Sequence, residues 1–101
     1  MSDSVLSAEK LRALLKEFKE KRGAEYHLLS LGYFGSYARG EATAQSDVDI
    51  VFETNKPNLF TTVIMKQDLE ALLGRPVDVI QLRGMRNQRM QERIQREMVN
   101  V

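Results

Sequence analysis

Asp47–Glu53, DVDIVFE, alternates in the two-residue rhythm of a β-strand, with Val48, Ile50 and Phe52 on one side and Asp47, Asp49, Val51 and Glu53 on the other. Aspartate is disfavoured in strands, yet two occur here at i and i+2, a spacing that aims both carboxylates at one face of a sheet. Side by side the two charges repel, and each is pushed toward protonation. A chain carrying this strand must bury one face and leave the other to water or to a cation. A divalent cation removes the repulsion. Oxygen-only donors of this kind suit Mg²⁺, which commonly takes one or two protein carboxylates and completes its shell with water and substrate phosphate.

The flanking sequence supplies elements to bury the apolar face. Ser7 reads as a helix N-cap, with Leu6 and Leu11 placed for a hydrophobic staple. Leu11, Leu14, Leu15 and Phe18 recur at helical spacing, and Gly23 follows the basic run 19–22 as a stop. Tyr26–Tyr33 reads as a buried strand, broken by Gly35, with a short helix expected over Ser36–Ala42. A turn around Pro57 leads to a helix over Leu59–Leu73 that ends at Gly74, and Pro76 opens a third strand, PVDVIQL. From about Gly84 the chain reads as helical, with Met90, Ile94, Met98 and Val101 as an apolar stripe among arginines. The order α-β-α-β-α-β-α predicts an α/β (α+β) fold, a small mixed sheet of about three strands covered by helices, as a single domain over residues 1–101.

Composition removes several function classes. With no cysteine, disulfides and thiolate metal sites are excluded; the single histidine, His27, cannot build a multi-histidine centre and reads as a packed or surface residue. A net charge of +1 argues against direct nucleic-acid binding by a basic coat. The sequence has no long apolar run and MSDSVLSAEK has no signal-peptide pattern, so a cytoplasmic protein with no membrane partner is expected.

Two further features extend the carboxylate pair into a candidate site. Asp78 lies between Val77 and Val79; if the valines face the core, Asp78 points toward the side that carries Asp47 and Asp49. Three converging carboxylates could hold two metals about 4 Å apart, the arrangement used for in-line phosphoryl displacement. Gly35 lets a backbone approach a phosphate closely, a helix starting after it would aim N–H groups at an anion, and Ser36 adds a hydroxyl. Each feature has a plainer reading: a solvated strand face, a turn glycine, an N-cap serine. Arg39, Glu41 and Glu53 read equally as exposed charges, and Arg83, Arg86, Arg89, Arg93 and Arg96 as a solvated helix face. Met85, Met90 and Met98 read as packing.

Gly35-Ser36, ten residues, then Asp47-x-Asp49, within GSYARGEATAQSDVDIVF, resembles the signature of the DNA polymerase β-like nucleotidyltransferase superfamily. More particularly it resembles the minimal nucleotidyltransferases, the MNT antitoxins encoded beside HEPN toxins, and the likeness covers most of the chain. The resemblance implies that Asp47 and Asp49 are metal ligands, and that Asp78 is a third ligand and the activator of an attacking hydroxyl. It implies that Gly35 and Ser36 contact a triphosphate, with Arg39 one helical turn further on as another phosphate contact. It implies two Mg²⁺ ions, ATP as substrate and, as partner and acceptor, a tyrosine of a HEPN ribonuclease toxin that AMP would switch off. Two other functions fit the same residues: an antitoxin that captures its toxin sterically through the C-terminal helix, and a transferase acting on a small molecule, as aminoglycoside nucleotidyltransferases do with extra helical segments.

Overall fold

The computed structural model describes residues 6–101; the stretch 1–5, part of the sequence read for a leader, lies outside the described residues. Helix α1 spans Ala8–Arg22 and is capped by Ser7, whose Oγ accepts the Lys10 N–H at 3.0 Å. Strand β1 (Leu28–Phe34) follows, then the one-turn helix α2 (Ser36–Arg39) and strand β2 (Val48–Thr54). Helix α3 (Leu59–Leu73) is closed at both ends by sequence-coded caps: Asn58 Oδ1 accepts the Phe60 and Thr61 N–H groups, and Gly74 terminates it in the left-handed conformation. Strand β3 (Val77–Gln81), helix α4 (Gln88–Glu97) and the short strand β4 (Val99–Asn100) complete the chain.

The strands form one mixed sheet in the order β3-β2-β1-β4. β1 pairs antiparallel with both β2 and β4, and β2 pairs parallel with β3 through the α3 crossover. Helices α1 and α3 supply Leu11, Leu15, Phe18, Met65, Leu69 and Leu73 to the main core, which also buries Leu31, Tyr33, Val48, Ile50, Phe52 and Val77. Each such aliphatic side chain contributes about 1.5–3 kcal/mol by leaving water. The seam between α1 and α3 is closed by Tyr26, whose hydroxyl donates to Asp68; Arg22 bonds the same carboxylate at 2.7 Å and lies over the Phe18 and Tyr26 rings. Burial, then the Asp68 contact, pushes the Tyr26 phenol up to about 12.

The other sheet face carries a smaller core. Val51, Leu82 and Ile94 are buried there, with Phe34, Ile80, Met85 and Met98 packed around them. Val51 therefore shares the carboxylate side of β2 and is covered by α4, so only part of that side is open.

Several expectations change. The sheet has four strands, not about three, because the helix expected to continue through Val101 stops at Glu97. Met98 turns extended and Val99-Asn100 pairs with Gly32 and Tyr33, while the Val101 N–H donates to Leu31 O at 2.9 Å. The anticipated stripe thus splits: Ile94 is buried, Met90 is exposed, and Val101 lies beyond the helix. Gly32 makes the fourth strand possible, since a Cβ there would stand 2.4 Å from Val99 O. β1 begins at Leu28, two residues later than expected, because Tyr26 and His27 lie in a turn with His27 at φ 54°. α2 ends at Arg39 rather than Ala42, since Gly40 takes the left-handed conformation and donates to the Ser36 and Tyr37 carbonyls.

Gly32→Val is expected to displace β4 and cost about 1–3 kcal/mol. Urea unfolding reads the loss, and faster amide exchange at Val101 reports the freed strand.

Candidate active site

The carboxylates are placed by strand register. Asp49 lies beside Phe34 of β1 and beside Asp78 of β3. Register partners point to the same face, and neighbouring strands run about 4.8 Å apart, so Asp49 and Asp78 are side by side. Asp47 precedes the first residue of β2 and, two residues before Asp49, is set toward that face. α4 covers the Val51, Ile80 and Leu82 portion of the face, leaving the carboxylates at its far end.

Electrostatics agree with this placement. The Asp49 carboxyl is held above the usual carboxylate range, first by burial and then by the charges of Asp78 and Asp47; the Arg39 guanidinium opposes the shift. All three charges are therefore close enough to act on Asp49. Among the described residues no group of three or more His, Cys, Asp or Glu side chains is closed to metal-holding geometry. The three aspartates share a face without forming a ready-made cage. Their all-oxygen donor set suits a hard divalent cation.

Gly35 forms the wall of the site. Its φ of 74° and ψ of −146° lie in a region that essentially only glycine occupies. A Cβ there would meet Asp49 Oδ2 at 2.2 Å, so the turn is packed directly on the carboxylate. This close cradle is the feature of the chain that fits a metal and a phosphate together: backbone and carboxylate meet with no side chain between them. Ser36 opens α2 and is partly exposed. Arg39 is exposed on the rim, and its Nε donates to Glu41 Oε1 at 3.0 Å, so it is turned along the surface.

Sequence patterns did not reveal what holds α2 in place. Tyr37 is buried, and its hydroxyl accepts from Arg75 Nη1 at 2.7 Å. Arg75 sits in the tight connection between Gly74 and Pro76, ahead of β3, and its Nε is buried without a hydrogen-bond partner among the described residues. The pair ties the glycine turn to the strand that carries Asp78. A charged residue wedged between a helix-ending glycine and a strand-opening proline was the available signal, but it names no partner. Glu53, on the same side of β2, is used elsewhere: it accepts from Ser30 Oγ at 3.1 Å.

A carboxylate face abutted by a glycine-serine turn at the start of a helix, on a small mixed sheet, defines a nucleotidyl-transfer type of protein. Residues 11–101 match the nucleotidyltransferase domain family, and the chain belongs to it. It is 36% identical over 78 residues to the protein adenylyltransferase MntA of Thermococcus cleftensis, spanning 76% of this chain and 79% of the relative. A solved structure provisionally described as a minimal nucleotidyltransferase shares the fold with a TM-score of 0.81 at 32% identity, over 95% of this chain and 97% of that one. A chain in the structure of a tri-AMPylated Shewanella oneidensis HEPN toxin in complex with MNT antitoxin shares the fold with a TM-score of 0.62 at 20% identity, over 86% of this chain and 66% of that one. The chain is a nucleotidyltransferase with a minimal nucleotidyltransferase fold.

Gly35→Ala is expected to cost about 1–3 kcal/mol through backbone strain and the Asp49 clash, read by thermal unfolding. A second expectation concerns pH. The raised Asp49 carboxyl binds its proton more tightly folded than unfolded, so its contribution to stability falls as pH rises from its ordinary value of 3.8 through the folded value, and stays low above it. In chelator-treated protein, Asp49→Asn should therefore stabilise at neutral pH relative to wild type, with the gain shrinking in acid. An equal effect at all pH values would contradict the placement of the three carboxylates.

Proposed function

We propose that this nucleotidyltransferase is an antitoxin that uses Mg²⁺ to transfer AMP from ATP to a tyrosine hydroxyl of a HEPN ribonuclease toxin, and that residues 1–101 act as one catalytic domain. The observation that carries the site assignment is the pairing of Asp49 with Asp78 in register, with Gly35 packed against the Asp49 carboxylate. The protein acceptor is supported by the name of the Thermococcus relative, and the HEPN acceptor by the AMPylated toxin in complex with an MNT antitoxin whose structure shares this fold.

In this reading Asp47, Asp49 and Asp78 are the metal ligands. The ion, when bound, supplies charge neutralisation of the polyphosphate and eases deprotonation of the attacking hydroxyl. The Gly35 backbone and the Ser36 hydroxyl hold the triphosphate, and Arg39 exchanges its contact with Glu41 for one with phosphate. Asp78, nearest the open edge of the sheet, accepts the proton of the tyrosine hydroxyl. The tyrosine oxygen forms a bond to the α-phosphorus, the bond to the β-phosphate bridging oxygen breaks, and pyrophosphate leaves. Most of the rate enhancement then comes from positioning and electrostatics. AMP adds bulk and negative charge to the toxin. Among the described residues no helix is long and apolar enough to cross a membrane. In this reading the protein acts in the cytoplasm, beside the ribonuclease.

The test is incubation of the purified protein with Mg²⁺, α-labelled ATP and the HEPN protein encoded beside it, with products resolved by mass spectrometry. AMP adducts on the toxin are expected with wild type. Asp47→Asn and Asp49→Asn should each lower transfer by about 10³-fold or more, and a chelator should abolish it. A tight complex without any adduct would contradict the enzymatic reading and favour steric capture.

A further inference from the structure

Among the described residues the β3 edge of the sheet has no neighbouring strand, because the order β3-β2-β1-β4 places β3 outermost. The ladder to β2 is bracketed by Val48 N–H donating to Pro76 O at 3.1 Å and Leu82 N–H donating to Phe52 O at 2.9 Å. Parallel pairing alternates, so Asp78 and Ile80 turn their backbone groups toward β2, and Val77, Val79 and Gln81 turn theirs outward. The Val77 N–H is taken by Glu70 Oε2 at 3.1 Å. Val79 and Gln81 remain as a donor-acceptor row facing away from the sheet. β3 carries no lysine, proline or bulge to blunt this edge, and its single charge, Asp78, points into the site.

The same Glu70 contact shows which side of α3 borders the edge. Val63 precedes Glu70 by seven residues and Leu59 precedes it by eleven, two and three helical turns, so the three lie in one stripe. Leu59 is 77% and Val63 46% exposed, an apolar strip running alongside an unpaired strand. Backbone donors and acceptors beside an apolar strip are what an extended peptide needs: the edge supplies main-chain hydrogen bonds and the strip takes alternate side chains.

We propose that the β3 edge, flanked by Leu59 and Val63, takes an extended segment of the polypeptide acceptor as an added strand. The inference rests on the reading that the acceptor is a protein. A strand added there runs about 4.8 Å from β3, and every second side chain projects onto the face that holds Asp78 and Asp49. A tyrosine at one of those positions is presented to the carboxylates by strand register, which restricts its approach before any chemistry occurs. The acceptor is thereby selected by its backbone and by the spacing between its apolar side chains and its hydroxyl.

The test uses the full chain and the HEPN protein of the transfer assay. Single-residue amide exchange by NMR is measured on the free protein and on the complex. Exchange at Val79 and Gln81 is expected to slow about tenfold or more on complex formation, whereas Asp78 and Ile80, already bonded to β2, change less. Leu59→Lys with Val63→Lys, both on the surface, should weaken acceptor binding about tenfold while leaving affinity for Mg²⁺-ATP unchanged. A complex that leaves Val79 and Gln81 exchange as it was, or no complex at all, overturns the inference. Edge protection without AMP transfer supports the docking site and contradicts the enzymatic reading; AMP transfer without edge protection does the reverse.

Discussion

Carboxylates on neighbouring strands cannot be sealed into an apolar core, and much of this small fold is arranged around that constraint. Asp49 and Asp78 are brought side by side by the parallel pairing of β2 and β3. Burial and repulsion raise the Asp49 carboxyl, so the pairing costs free energy in the protein by itself. α4 covers Val51, Leu82 and part of Ile80 on the same face and leaves the acid end bare. The opposite face, with Val48, Ile50, Phe52 and Val77, is packed against α1 and α3 and anchors the strands. Packing and candidate site therefore divide the sheet: one face holds it together, and the free end of the other carries the carboxylates.

The second arrangement is the turn after β1. Gly35 follows Phe34, the register partner of Asp49, and packs on that aspartate's carboxylate. α2 is a single turn and could not hold its position unaided. Tyr37 and Arg75 fasten it to the connection before β3, so the glycine turn and the strand bearing Asp78 are joined by one hydrogen bond. The buried, unpartnered Nε of Arg75 is a cost of that tie.

Much of this was legible in the sequence. The DVDIVFE alternation gave the two faces of β2, the valines flanking Asp78 gave its direction, and the turn around Pro57 and Gly74 gave the bounds of α3. These are local signals, set by side-chain period and capping chemistry. What was not legible depends on contacts between distant segments. β4 exists because Gly32 admits a backbone against β1, a fact about strand 1 that fixes the fate of residues 99–100. Val51 looked like part of an open face until α4 was placed over it. Tyr37 and Arg75 are far apart in the chain, and no local pattern pairs them. Strand order could not be read at all, because a parallel crossover and an antiparallel edge have similar local patterns.

In the proposed function, nucleotide and metal meet at the end of the sheet that holds Asp49, Asp78 and Gly35. That placement is tested most directly by replacing Mg²⁺ with paramagnetic Mn²⁺, adding a non-hydrolysable ATP analogue and recording amide line broadening by NMR. Broadening is expected to centre on Gly35, Ser36, Asp49 and Asp78. Broadening centred instead on the cleft of about 280 Å³ at the other end of β2 and β3, lined by Thr54, Asn55, Pro57, Gln81, Arg83 and Gly84, would contradict it.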